Sequence, residues 1–145
     1  MKTRRYVLAI ALAWLLGALP GVVFAQPVSE NDVLEIRTVI FRQIEALQRD
    51  NADEAFSLAS PRLRAAFKTP ENFMRDVRAS LGPLYRSAAL AFRTMLILDD
   101  EVVQKMKVTD RFGDAWSVFY PMQRQKDGTW RTNGIQLVRE ITVLT

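Results

Sequence analysis

The sequence predicts an α+β fold in which one long amphipathic helix and two or three short helices pack on a curved four-stranded antiparallel sheet. Three observations carry that expectation. Apolar residues recur at helical spacing before Pro83 and in β-branched and aromatic runs after it, short turn-forming clusters separate those runs, and helices and strands do not alternate as they would in a doubly wound sheet.

The chain opens MKTRRYVLAIALAWLLGALPGVVFAQ. Lys2, Arg4 and Arg5 precede an apolar run from Tyr6 to Leu16, Gly17 and Pro20 follow, and Val23-Phe24-Ala25 suits a cut after Ala25. This is the anatomy of a secretory signal peptide. An uncleaved anchor is the alternative, since Tyr6 to Ala25 approaches the roughly 20 residues that span a bilayer, but Gly17, Pro20 and Gly21 break its second half. Residues 1–25 are expected to be removed and 26–145 to form a single domain, periplasmic or secreted, with no membrane attachment after cleavage.

The helical half comes first. Val33, Ile36, Ile40, Ile44 and Leu47 follow one another at steps of three and four, with Ser29 and Asp32 as a capping pair before them. Asn51 or Asp53 caps a second, short helix carrying Phe56 and Leu58, and Pro61 begins a third that ends near Phe67. Thr69-Pro70-Glu71 puts a cap, a first-turn proline and an acid at the start of a further helix, which Gly82-Pro83 stops.

Strands are predicted at 88–98, 102–109, 115–123 and 129–138. Asp99-Asp100, Asp110-Arg111-Phe112-Gly113-Asp114 and Lys126-Asp127-Gly128 separate them and favour antiparallel hairpins. Trp116, Val118, Tyr120 and Met122 share one face with Val102, Gln104, Met106 and Val108, which suits the long helix. Ala115, Ser117 and Phe119 belong to the mixed opposite face. In the last strand Trp130 and Ile135 have opposite parity, so one extra residue at Asn133-Gly134 is needed to bring Trp130, Thr132, Ile135 and Leu137 to one side. A bulge within a residue of Gly134 is therefore predicted, glycine accepting the positive φ that some bulges need.

Composition excludes several functions. Three of the 20 basic residues leave with residues 1–25 while all 16 acids stay, leaving 17 against 16. Without a basic excess there is no electrostatic footprint for nucleic acid. Cysteine and histidine are both absent, which removes disulfides, thiolate chemistry, the commonest general base and the usual metal ligands, so no cofactor and no metal is expected.

The succession Val39-Ile40-Phe41-Arg42-Gln43-Ile44-Glu45-Ala46-Leu47, Phe56-Ser57-Leu58-Ala59-Ser60-Pro61, Thr69-Pro70-Glu71-Asn72-Phe73-Met74, Leu84-Tyr85-Arg86 and Asp127-Gly128-Thr129-Trp130-Arg131 resembles the bacterial domain of unknown function catalogued as family 4864, within the nuclear transport factor 2-like superfamily. The sequence departs from that pattern at Ser87, where a proline is expected, and at Ile135, where a polar residue or cysteine is common. The resemblance implies a cone made from a curved sheet wrapped by helices, in an exported bacterial protein, and supplies no activity.

Enzymes with such a cone place acids, tyrosines or histidines inside it. Here the carboxylates of the strand half fall mainly in turns, so the expectation leans against catalysis and no catalytic residue is assigned. Polar residues that interrupt apolar faces are the binding candidates. Gln43, Gln104, Tyr85, Tyr120 and Asn133 suit the few polar contacts of an otherwise apolar pocket, and Arg86 suits a carboxylate. The expected ligand is small and apolar or weakly acidic, in a closed-ended cavity. Each candidate has a structural alternative: the glutamines satisfy buried backbone groups, and Arg86 caps a helix or makes a surface pair. Protein association, including a homodimer through the mixed sheet face, is the second expectation.

Overall fold

The computed structural model describes residues 27–98 and 101–141. The expected signal peptide and the Asp99-Asp100 turn lie outside these residues. Five helices precede the sheet: α1 (Glu30–Gln48), α2 (Ala52–Ser57), α3 (Pro61–Phe67), α4 (Pro70–Ser80) and α5 (Gly82–Tyr85). Strands β1 (Ser87–Leu98), β2 (Glu101–Asp110), β3 (Ala115–Arg124), β4 (Trp130–Thr132) and β5 (Gln136–Arg139) follow.

Local chemistry sets the helix starts. Ser29 and Asp32 form the predicted reciprocal capping box at α1. Asn51, Ser60 and Thr69 each accept a backbone N–H as side-chain caps, and Pro61 and Pro70 occupy first-turn positions where a missing N–H costs nothing. The helices after α1 number four, one more than expected. Gly82-Pro83 ends α4 as predicted, but the same two residues also begin the single turn of α5, which takes in Tyr85 and has Arg86 as its C-cap.

Ile36, Ile40, Ile44 and Leu47 of α1 are wholly buried. They meet Met106, Val108, Val118, Tyr120 and Trp130 in one core with Phe73, Met74 and Val77 of α4. Each buried aliphatic side chain contributes roughly 1.5–3 kcal/mol of transfer free energy. Phe73 packs on both Phe56 and Phe67, with ring centroids 5.8 and 5.3 Å away, which joins α2, α3 and α4.

The sheet is antiparallel in the order β1-β2-β3-β4, with β5 also paired to β3. The expected fourth strand is therefore two segments beside one partner. β4 places Thr132 opposite Met122, and β5 places Gln136 opposite Phe119. Between those pairs β3 uses Tyr120 and Pro121 while its partner uses Asn133, Gly134 and Ile135. This is the predicted one-residue bulge, and it puts Trp130, Thr132, Ile135 and Leu137 on the core side. The expected conformational reason does not hold: the glycines with positive φ are Gly113 and Gly128, in the two hairpin turns, and Gly134 is not among them. Instead, a Cβ at Gly134 would lie 3.6 Å from Pro121 Cγ. The N–H of Asn133 donates to the Pro121 carbonyl at 2.7 Å, so proline's missing donor faces the bulge, which is where an inner strand tolerates proline.

Two further bulges lie in β1, one where Ser87 and Ala89 pair with consecutive residues of β2, the other at Arg93-Thr94, between Phe92↔Met106 and Met95↔Gln104. Bulges bend and twist the strands that carry them.

Candidate functional site

Register brings Met95 of β1, Gln104 of β2 and Tyr120 of β3 into one row across the inner face. Gln104 is wholly buried, and its Nε2 donates to the carbonyls of Arg93 and Lys105, both at 2.8 Å. The first of these fills the gap left in the ladder by the Arg93-Thr94 bulge. Gln104 Oε1 has no hydrogen-bond partner, and neither has the hydroxyl of Tyr120, whose complete burial pushes its pKa up. Gln43 behaves similarly: Nε2 donates to the Ala55 carbonyl at 2.9 Å, while Oε1 is unpartnered.

Along β2 and β3 this inner face is sealed by helices, but along β1 it is not. Leu90, Phe92 and Met95 are half-buried and Ile97 is 65% exposed. Helix α1 runs antiparallel to β1, since Gln48 Nε2 donates to Ser87 Oγ at 2.7 Å where β1 begins, and Asp32 is tied to Arg124 and Trp130 at the opposite end of the sheet. Between these ends the Arg37 guanidinium lies 5.4 Å from the Phe92 ring centroid. Leu34 and Phe41, also on α1, remain exposed. The result is an apolar seam between α1 and β1, with Met95 leading inward to Gln104 and Tyr120.

A second arrangement lies between α5 and the β2–β3 turn. Gly82, Pro83, Arg86, Asp110, Arg111 and Phe112 line a cleft of about 220 Å³. Arg86 stacks 4.6 Å from the centroid of the Tyr85 ring, with Arg78 at 5.9 Å. Asp50 accepts from the Tyr85 hydroxyl and from Arg78, bonds that hold its pKa below the usual carboxylate range. Asp110 accepts from Trp116 Nε1 at 3.0 Å and from the N–H groups of Phe112 and Asp114 at 2.8 and 2.9 Å. The Trp116 bond is the main reason its pKa is lowered.

The six expected binding residues thus divide among four places. Gln104 and Tyr120 stand directly opposite each other, Tyr85 and Arg86 are neighbours beside the cleft, and Gln43 is beneath α2. Asn133 sits at the bulge, where its Oδ1 accepts from Ser60 Oγ at 2.7 Å and its carbonyl accepts from Arg62 at 2.9 Å. Arg111 and Phe112 escaped the sequence reading because they belong to a turn whose composition signals only a turn.

The most connected carboxylate was visible in the sequence only as a cap. Asp32 accepts from the N–H and hydroxyl of Ser29, both at 2.8 Å, from Arg124 at 3.0 Å and from Trp130 Nε1 at 2.9 Å. These bonds, led by the Ser29 N–H, hold its pKa far below the ordinary value. Among the described residues every displaced carboxylate pKa moves down: Asp32, Asp50, Asp110 and Asp127. An acid kept ionised by its donors is unsuited to general-base work near neutrality.

No helix among the described residues is long and apolar enough to cross a membrane. A family model described as Domain of unknown function (DUF4864) matches residues 29–143. No curated protein matches the chain. A solved structure described as "2.5 Angstrom structure of from Catenulispora Acidiphila" is similar over 74% of this chain and 90% of that one, at 17% identity and a TM-score of 0.45.

Proposed function

The chain belongs to the domain of unknown function family DUF4864, and from that membership we propose that it is an exported, non-catalytic domain that binds a small, mostly apolar ligand inside a nuclear transport factor 2-like cone. In this reading residues 1–25 are a signal peptide, the mature domain is periplasmic or secreted, and residues 26–145 are its single domain. One observation carries the proposal: the incompletely covered inner face of β1 joins, through Met95, two buried polar atoms without partners, Gln104 Oε1 and the Tyr120 hydroxyl. Unpaired buried polar groups are uncommon because each costs roughly 1–3 kcal/mol.

A ligand that donates a hydrogen bond to Gln104 Oε1 and exchanges one with Tyr120 removes that cost, while its apolar body replaces water along Leu90, Phe92 and Met95. Gln104 and Tyr120 are wholly buried, so the ligand enters as α1 and β1 part along the seam where Arg37 covers Phe92. Native mass spectrometry of the protein purified from its own cell envelope tests this: a retained small molecule, weakened in Tyr120→Phe and Gln104→Leu, is expected. A ligand-free protein, or retention unchanged in both variants, overturns it.

The outer sheet face favours a second reading, a homodimer. Phe119 is half-exposed there beneath Lys105, whose Nζ is 5.7 Å from the ring centroid, and Val138, opposite Ser117, is exposed. Sedimentation at high concentration is expected to show a dimer that Phe119→Glu dissociates; a monomer overturns this reading.

A further inference from the structure

We infer that the cleft between α5 and the β2–β3 turn is a second site, separate from the inner face, for a small organic monocarboxylate. Its carboxylate would sit between the Arg86 and Arg111 guanidiniums and its apolar body against Pro83 and Phe112.

Arg42, Arg49, Arg78, Arg124 and Arg139 all have carboxylate partners. Most arginines among the described residues, Arg86 and Arg111 included, have none within ion-pair distance, and what sets these two apart is that they share a cavity. The acids nearby are engaged elsewhere. Asp110 lines the same cleft, but its oxygens already accept the Trp116 indole and two backbone N–H groups. Asp50, close enough to feel the Arg86 charge, is taken by Tyr85 and Arg78.

Charge sets the valence of the guest. Arg86, Arg111 and Asp110 line the cleft, the Arg78–Asp50 pair beside Tyr85 and the Arg139–Asp114 pair beside Asp110 each add one charge of either sign, and one positive charge is left over. One excess charge matches a monoanion better than a phosphate dianion. The Tyr85 ring, its centroid 4.6 Å from the Arg86 guanidinium carbon, limits where that group can lie, and a guanidinium already confined presents its paired N–H donors to a carboxylate with less ordering cost.

The walls choose the rest of the molecule. Phe112 is 76% exposed, and it stands at a cavity whose other walls include Pro83. An apolar body laid on both removes that surface from water at roughly 25 cal/mol per Å². The volume of about 220 Å³ is below the roughly 300–1,000 Å³ typical of drug-sized sites, which limits the guest to about the size of benzoate.

Titration of the isotope-labelled protein with benzoate, acetate and inorganic phosphate, followed by NMR, tests the inference. Benzoate is expected to saturate with shifts confined to Arg86, Arg111, Phe112 and Gly113, and to bind more tightly than acetate or phosphate. Arg111→Gln, an exposed turn substitution that leaves the fold intact, should weaken benzoate about tenfold. Phe112→Ala should weaken benzoate while leaving acetate unchanged, and Tyr120→Phe should affect neither. The inference is overturned by non-saturating benzoate shifts, by equal binding in Arg111→Gln, by phosphate binding more tightly than benzoate, or by loss of binding in Tyr120→Phe.

Discussion

The two ends of the sheet are finished in opposite ways. At β4 the chain closes the edge with its own backbone: Thr132 donates to the Leu58 carbonyl at 3.0 Å and accepts from the Ser60 N–H at 2.8 Å. Ser60 and Arg62 then fasten Asn133, and Asp32 ties the nearby Trp130 to α1. At β1 the edge is unpaired in the described sheet, the inner face is half-covered, and the row behind it ends in polar atoms with no partners. Hydrogen bonds fasten the edge at β4, and apolar access lies at β1. Stability should therefore depend on the β4 end, and ligand exchange on the β1 end.

The harshest way to break this contrast is Asp32→Ala. It removes the acceptor shared by Ser29, Arg124 and Trp130, and should lower stability by about 2–3 kcal/mol, read as a reduced urea midpoint with an unchanged slope. The same carboxylate sets an acid dependence. Its folded-state pKa lies below the ordinary 3.8, so its contribution is complete at neutral pH and is lost progressively as the pH falls below that value. In Asp32→Ala the acid limb of the stability profile should flatten. A loss below 1 kcal/mol, or an unchanged acid limb, would deny the β4 end its special role.

Ser60→Ala should cost about 1 kcal/mol, because the hydroxyl caps α3 through Leu63 N–H at 3.3 Å and also donates to Asn133. Thermal melting should fall by about 4 °C, the scale for a domain of roughly 100 residues. Along the polar row that runs inward from β1 the sign should reverse. Tyr120→Phe removes a buried hydroxyl that has no partner, and should stabilise the ligand-free protein by up to about 1 kcal/mol. Destabilisation of more than that amount would mean that the hydroxyl is satisfied and would dissolve the contrast. The smallest effect belongs to Gly134→Ala, within about 0.5 kcal/mol, because the new methyl meets Pro121 at ordinary contact distance and the backbone is not left-handed. A loss of 2 kcal/mol there would restore a conformational role for the glycine.

Much of this fold was readable where a short-range signal exists. The three-and-four spacing from Val33 to Leu47 placed α1, and the parity conflict between Trp130 and Ile135 placed a bulge without any structural knowledge. Helix α5 was missed because Gly82-Pro83 serves two purposes, a stop for one helix and the start of the next. The Arg93-Thr94 bulge was hidden for a different reason: β1 is apolar on both parities, so no alternation breaks, and the glutamine that fills the gap lies eleven residues further on. Asp32 and Trp130 are 98 residues apart, and no local pattern announces their bond. In the candidate sites, Gln104 and Tyr120 were visible as polar interruptions of an apolar face, but that they stand opposite each other followed only from strand register.

The split between β4 and β5 also fixes how the last strand can sit. Its two segments pair with β3 at registers one residue apart, so no single slide of the ribbon satisfies both. Shifting β5 by one turns Leu137 outward, and shifting β4 by one does the same to Trp130 and Thr132. Pro121 reinforces this, since an unbroken ladder would ask it for a hydrogen it does not have. The C-terminal strand behaves like a key with an offset tooth, admitted to the sheet in one position only.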